Sequence, residues 1–280
     1  MAKTKNIAGC RALKKANELI GTDLDNAISF YNQAVASFKD ARNDGEAVEE
    51  ANLKNAYINL SIAQAKKDNF DGAIALLTEA MDEVKDNSDI IVALFNHRFN
   101  KASKALVDTD YGTIILELEE AKKLDVAPRS KIEAQFYITH AKVKSGAIST
   151  QVAIDEFASI RDEMDSAVID AQLKSLHRKH AIDMLAARNY AGFAALVQKP
   201  LVAADGDFLA DLLGHARFIY NEANDVEHHK LAAKFFFGLH KAGNADATVD
   251  LETLLLVHDS DTSHDVTWLG ETPDFVNITS

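Results

Sequence analysis

Three observations predict an all-α fold made of successive helical hairpins. Ala27-Tyr31-Ala34, Ala73-Leu77-Ala80, Ile114-Leu118-Ala121 and Ala153-Phe157-Ile160 each place small or bulky apolar residues at offsets of four and seven, one face of a helix. These stretches begin 46, 41 and 39 residues apart, a second and longer period expected of stacked helical units. With only three prolines and twelve glycines in 280 residues, and almost no alternation of strand type, little interrupts long helices.

In chain order, the apolar period predicts about thirteen helices, near 8–20, 24–42, 46–67, 70–86, 88–107, 110–124, 129–145, 149–163, 166–187, 189–198, 205–222, 225–241 and 246–258. Turn residues separate them at Gly21-Thr22-Asp23, Asp68-Asn69, Asp108-Thr109-Asp110, Val126-Ala127-Pro128 and Gly146. Asp23, Ser88, Ser149 and Ser166 are candidate N-caps, since a short side-chain oxygen satisfies an otherwise bare helix amide. The run Phe235-Phe236-Phe237, between Leu231 and Leu239, reads as a core helix, and residues 249–257 as the segment that covers it.

The chain carries 47% hydrophobic and 26% charged residues, ordinary for a folded soluble protein. A single cysteine, Cys10, excludes an internal disulfide framework and a cysteine-based zinc finger. The N-terminus lacks the apolar stretch of a signal peptide, and no run approaches the roughly 18 apolar residues that span a bilayer. Cytoplasmic location and no membrane partner are expected, which makes the Asn277 sequon a chance match. A net charge of −13 disfavours general nucleic-acid binding. The charge is uneven: Lys3, Lys5, Arg11, Lys14 and Lys15 fall within residues 1–17 with no acid, whereas residues 242–280 hold eight acids and no Lys or Arg. Solvated chain ends explain this pattern, as does a head-to-tail contact between copies.

Residues 54–87, KNAYINLSIAQAKKDNFDGAIALLTEAMDEVKDN, resemble a tetratricopeptide repeat. Tyr57 takes the first aromatic position, Leu60 and Ser61 the apolar-small pair and Phe70 the turn aromatic. Ala73, Leu77 and Ala80 fill the small-bulky-small positions of the second helix. Gln64 stands where the family prefers an aromatic, and no proline follows Glu83-Val84-Lys85. Residues 110–128 keep the second-helix pattern and a late proline; the resemblance covers residues 10–165 and fades beyond about 190. It implies a right-handed α-α superhelix, a TPR-like solenoid of about six hairpins with an irregular C-terminal tail. The expected divisions are a basic segment 1–9, repeats 10–165, divergent repeats and cap 166–258, and an acidic aromatic tail 259–280.

The same intervals align polar residues. A shift of 41 carries Asn55 onto Asn96 and Asn59 onto Asn100; a further 39 reaches Gln135 and Thr139, and 37 more carries Gln135 onto Gln172. First helices line the concave surface in the resembling family, where amides hydrogen-bond both donors and acceptors of an extended peptide backbone. Polar residues that only keep a face wetted fit the same spacing.

Signals for chemistry are weak. His177, His180 and Asp183 share a helix at three-residue steps, and Asp225, Glu227, His228 and His229 cluster, but neither group has a second ligand-bearing segment. His229 with His258-Asp259 is similar in order to all-helical metal phosphohydrolases, yet only twenty-one residues remain for the further aspartate, and His264-Asp265 duplicates the pair. No phosphate loop, GxGxxG, HExxH or GxSxG occurs, and Cys10 has cations nearby but no committed base. No catalytic residue, metal or cofactor is expected. The last segment contains Trp268, Leu269, Pro273 and Phe275 among acids, which fits a recognition peptide or a tail packed on the last helices. The reading is a non-enzymatic adaptor or scaffold binding a protein or peptide. The alternatives are a component that self-associates through its oppositely charged ends into a homo-oligomer and, more distantly, a metal-dependent helical hydrolase.

Overall fold

The computed structural model describes residues 4–164, 166–222 and 226–258, without the side chains of Ser166, Val226 and 255–258. Among them there are fourteen α-helices and no strand. Contacts divide the chain into two compact units, Met1–Ala147 and Ile148–Ser280.

The first unit contains α1 (Thr4–Leu19), α2 (Leu24–Asn43), α3 (Glu50–Lys66), α4 (Phe70–Glu83), α5 (Ser88–Val107), α6 (Tyr111–Lys122) and α7 (Pro128–Ser145). Each packs on the next in sequence, and α3 also touches α5. The second unit contains α8 (Thr150–Ile160), a 3-10 turn at Arg161–Glu163, α9 (Ser166–Ala186), α10 (Tyr190–Val197), α11 (Pro200–Ala203), α12 (Phe208–Asn221), α13 (Val226–Lys241) and α14 (Ala245–His258). Its packing is less linear: α13 lies against α9, α10, α12 and α14. The short α11 has no counterpart in the periodic reading, because four residues from Pro200 cannot display a period.

All twelve residues of the four spaced triplets are buried. Alanine at six of the eight outer positions lets neighbouring helices approach, while Tyr31, Leu77, Leu118 and Phe157 fill the gaps between them. The first unit has one apolar cluster centred on Tyr31, Phe38, Tyr57 and Leu77, and another on Phe95, Ile114, Leu118 and Ile138. In the second unit Phe235, Phe236 and Phe237 are all buried in one cluster with Leu251 and Leu254 of α14, as the sequence predicts.

One turn is used repeatedly. Asp68, Thr109, Arg188 and Gly243 adopt left-handed backbone, with φ of 61°, 56°, 61° and 84°. The next residue (Asn69, Asp110, Asn189 or Asn244) sends its amide back five residues, to Gln64, Ala105, Met184 or Leu239, at 2.8–3.0 Å. Its side chain then accepts the amide three residues on, at 2.9–3.1 Å. Each helix end and the following helix start are thereby satisfied together. Gly72 and Gly192 sit at that third position, where a Cβ would lie 2.4–2.5 Å from the capping amide nitrogen. With Asp23 and Ser149, the caps at 23, 69, 110, 149 and 189 continue the long period one step past the apolar triplets. Ser88 is not the cap of α5: it is the first helical residue, and its hydroxyl donates to Asp86 at 3.0 Å.

At the start of α1, the Glu46 carboxylate accepts the amides of Lys5 (3.4 Å) and Asn6 (3.0 Å), an anion placed on the positive end of the helix. Further along, Gly9 lets α1 approach Phe38 of α2: a Cβ there would lie 2.6 Å from the ring. Replacing an interior helix glycine by alanine ordinarily gains about 1 kcal/mol. Here the contact reverses the sign, and Gly9→Ala is expected to destabilise the first unit by about 1–2 kcal/mol in urea unfolding. An additional Phe38→Leu substitution should recover part of that loss relative to Phe38→Leu alone.

Candidate interaction surface

In the first unit two side-chain contacts, each between residues 42 apart in sequence, link α1 to α3. Asn52 Nδ2 lies 3.7 Å from the Cys10 sulfur, and Asn59 Nδ2 donates to Asn17 Oδ1 at 3.1 Å. The same Asn17 oxygen accepts from the hydroxyl of Tyr31 at 2.7 Å, so a core side chain of α2 fixes it in place. Asn17 and Asn52 were not among the residues aligned by the intervals. Stepping back by 42 from Asn59 reaches Asn17, so the signal was present one unit earlier.

Asn55, Asn96 and Asn100 are exposed, and none is hydrogen-bonded to a described residue. Asn59 is half-buried and engaged with Asn17. Gln135, also half-buried, accepts from Lys122 Nζ and donates to Thr139 Oγ1 at 3.2 Å. Thr139 is fully buried, so its hydroxyl faces the interior and no surface ligand. Gln172 is half-buried on α9 and belongs to the second unit. The aligned polar side chains therefore divide into solvent-facing Asn55, Asn96 and Asn100 on α3 and α5 and an internally bonded set at Asn59, Gln135 and Thr139.

Ion pairs tie successive hairpins together around this surface. Lys39 meets Glu79 at 2.6 Å and Arg42 meets Glu83 at 3.5 Å, joining α2 to α4. Tyr57 adds its hydroxyl to Glu79 at 3.0 Å; Lys39 and Tyr57 hold that carboxyl below its usual range. Between α5 and α6, buried Glu117 accepts from Arg98 at 2.7 Å and Lys101 at 2.6 Å, and Lys101 continues to Asp71 of α4. Glu117 is thus a paired interior charge, which sequence spacing among 43 acids does not single out.

Beneath α5 and α7, Phe99, Leu106, Ile114, Leu118, Tyr137 and His140 line a small apolar hollow open to solvent. Phe99 and Tyr137 meet edge to face at 5.4 Å. Another interior group joins neighbouring hairpins: buried His97 sits 3.0 Å from the Ser61 hydroxyl, which itself donates to the Ile58 carbonyl at 2.7 Å. Burial pushes His97 below the usual imidazole value.

The histidine groups stay apart as ligand sets. His177 is buried with no hydrogen-bond partner at Nδ1, whereas Asp183 pairs with Lys179 at 3.5 Å. Glu227 pairs with Lys230 at 2.9 Å, and the His229 ring lies 5.4 Å from Tyr220. Among the described residues, no three His, Cys, Asp or Glu side chains are grouped to hold a metal, and no helix is long and apolar enough to cross a membrane. Asp225, Asp259, His264, Asp265, Trp268, Leu269, Phe275 and Asn277 lie outside the described residues, as does the side chain of His258. Comparison with protein-family models and with curated proteins finds no match.

Proposed function

We propose that the first unit is a non-enzymatic binding module that holds a protein or peptide along the first helices of its hairpins, in an array of TPR-like build, and that the chain works as an adaptor or scaffold. The observation that carries this is a set of three free amides: Asn55, Asn96 and Asn100 are exposed on α3 and α5, with no partner among the described residues. Each side-chain amide both donates and accepts, the requirement for gripping an extended backbone whatever its side chains. The bond from Asn59 to Asn17 supports the same reading, since it fixes the spacing of α1 and α3 before any ligand arrives. A prearranged surface spends little ordering entropy on binding.

The test is a selection of peptides from a random display library on the intact chain, followed by titration of the selected peptides. Substituting Asn55, Asn96 and Asn100 by alanine should weaken the selected peptides at least tenfold, while the thermal midpoint stays within about 2 °C because the three sites are exposed. Unchanged affinity in the triple variant would remove these amides from the mechanism.

A further inference from the structure

The surface just described continues onto α1, where its character changes from neutral to basic. Cys10, Lys14 and Asn17 form one stripe of α1 by their four- and three-residue steps. The outer two meet Asn52 and Asn59 of α3. Between these contacts Lys14 and Asn55 are exposed, and neither is bonded to a described residue. Arg11, one step round the helix, is likewise exposed and has no ion pair with a described residue. The other nearby cations are committed: Lys5 pairs with Asp44 at 2.7 Å, and Lys15 lies 3.6 Å from Glu18. Exposed Ile7 on α1 and exposed Ile62 on the Asn55-Asn59 stripe of α3 add apolar contacts.

A ligand for this surface should be extended, acidic and furnished with one or two large apolar side chains. Residues 259–280 have that composition: five acids, no Lys or Arg, and the anchors Trp268 and Phe275. Negative charge is concentrated in the second part of the chain, with 10 basic and 21 acidic residues in 148–280 against 20 basic and 22 acidic in 1–147. Resting on the reading of this face as a peptide-binding surface, we propose that it receives segment 259–280 of a second copy of the chain. Carboxylates would meet Arg11 and Lys14, the Asn55 amide would bond the peptide backbone, and the aromatic anchors would cover Ile7 and Ile62. Such a contact is heterologous, joining two different surfaces, and it extends copy by copy unless the rotation closes a ring.

The experiment is sedimentation of the intact chain. At about 50 mM salt the weight-average mass should rise with concentration in the micromolar range, and fall back towards the monomer near 500 mM as the charges are screened. Arg11→Glu with Lys14→Glu should abolish this association, as should Trp268→Ala with Phe275→Ala. A mixture of the two double variants should form dimers and nothing larger, because each supplies one intact half. A synthetic peptide of residues 259–280 should dissociate the wild-type assembly, which tests the contact without any substitution in the folded part. A chain that stays monomeric at low salt, association that survives the α1 substitutions, or a mixture that forms no dimer would each overturn the inference. Library peptides that bind while the chain stays monomeric would sink this occupant and leave the binding surface standing; peptides that fail to bind would remove the surface itself.

Discussion

Phe237→Ala is expected to cost about 3–5 kcal/mol of stability in the second unit. The ring is fully buried, meets Tyr190 edge to face at 4.9 Å, and stacks near His240 at 6.3 Å. Helix α13 packs on α9, α10, α12 and α14, so a hole at Phe237 is bounded by several helices and no single one can move to fill it. The expected cost therefore includes both the lost transfer energy of the ring and an unfilled cavity. Phe218 on α12 supplies the internal comparison: it is 63% exposed, and Phe218→Ala should change stability by no more than about 0.5 kcal/mol. Urea unfolding with hydrogen exchange resolved along the chain would report both. A loss below about 1 kcal/mol for Phe237→Ala, or protection lost first in residues 4–147, would contradict the packing described for α13.

The helices and their buried faces were legible because the apolar residues recur at helical offsets. The triplets at 27–34, 73–80, 114–121 and 153–160 place like residues on one helix face, and every one of them is buried. The aromatic run at 235–237 was legible for a simpler reason, since three adjacent Phe residues span too much of the helix circumference for one buried face to cover. Its cover by residues 249–257 was legible too, but spacing, which shows only that a face is apolar, does not reveal that α13 also meets α9, α10 and α12. Turn residues mark the breaks between helices but carry only part of the turn chemistry in their identity. Asn69, Asp110, Asn189 and Asn244 cap the following helices because the preceding residue turns left-handed, a backbone state that Thr109 and Arg188 do not announce by residue type. Ser88 looked like a cap, but the helix begins one residue earlier than a cap there requires.

At the surface, spacing gave the phase of each helix but not the width of its buried arc. On α5, Asn96 and Asn100 are exposed beside buried Phe95 and His97. On α7, an interval of 39 keeps Ala134 and Ala141 buried in register with Phe95 and Ala102, yet Thr139 is buried where Asn100 is exposed. Helix α7 buries Ala134, Phe136, Ile138, Thr139 and Ala141, residues not confined to one stripe, and the position corresponding to an exposed amide falls inside that wider arc. The carboxylate of Glu117 and the Ser61–His97 contact escaped for a related reason: both depend on which side chains meet between helices, and no periodicity within one helix encodes that.

Acid is expected to weaken the second unit through His177 before the carboxylates begin to titrate. The imidazole is buried on α9, its Nδ1 has no hydrogen-bond partner, and burial followed by the charges of Lys199 and His180 pushes its pKa down to about 4. Near pH 7 the ring is neutral in both the folded and the unfolded chain, so its contribution to stability is complete. As pH falls below about 6.5 the unfolded chain binds a proton that the folded chain refuses, and stability drops by about 1.4 kcal/mol per pH unit. The loss levels off once pH passes below about 4, where the folded state also protonates. Between pH 7 and pH 5 the expected cost from this residue is about 2 kcal/mol. His177→Leu removes the proton-binding group while keeping an apolar side chain at a buried position. The variant should therefore lose less stability than the wild type across that interval, with the two curves separating below pH 6.5 and running parallel above it. Nuclear magnetic resonance titration of the His177 ring gives the direct check, because a folded-state pKa near 6.5 would leave the curves parallel throughout and show that the ring is solvated.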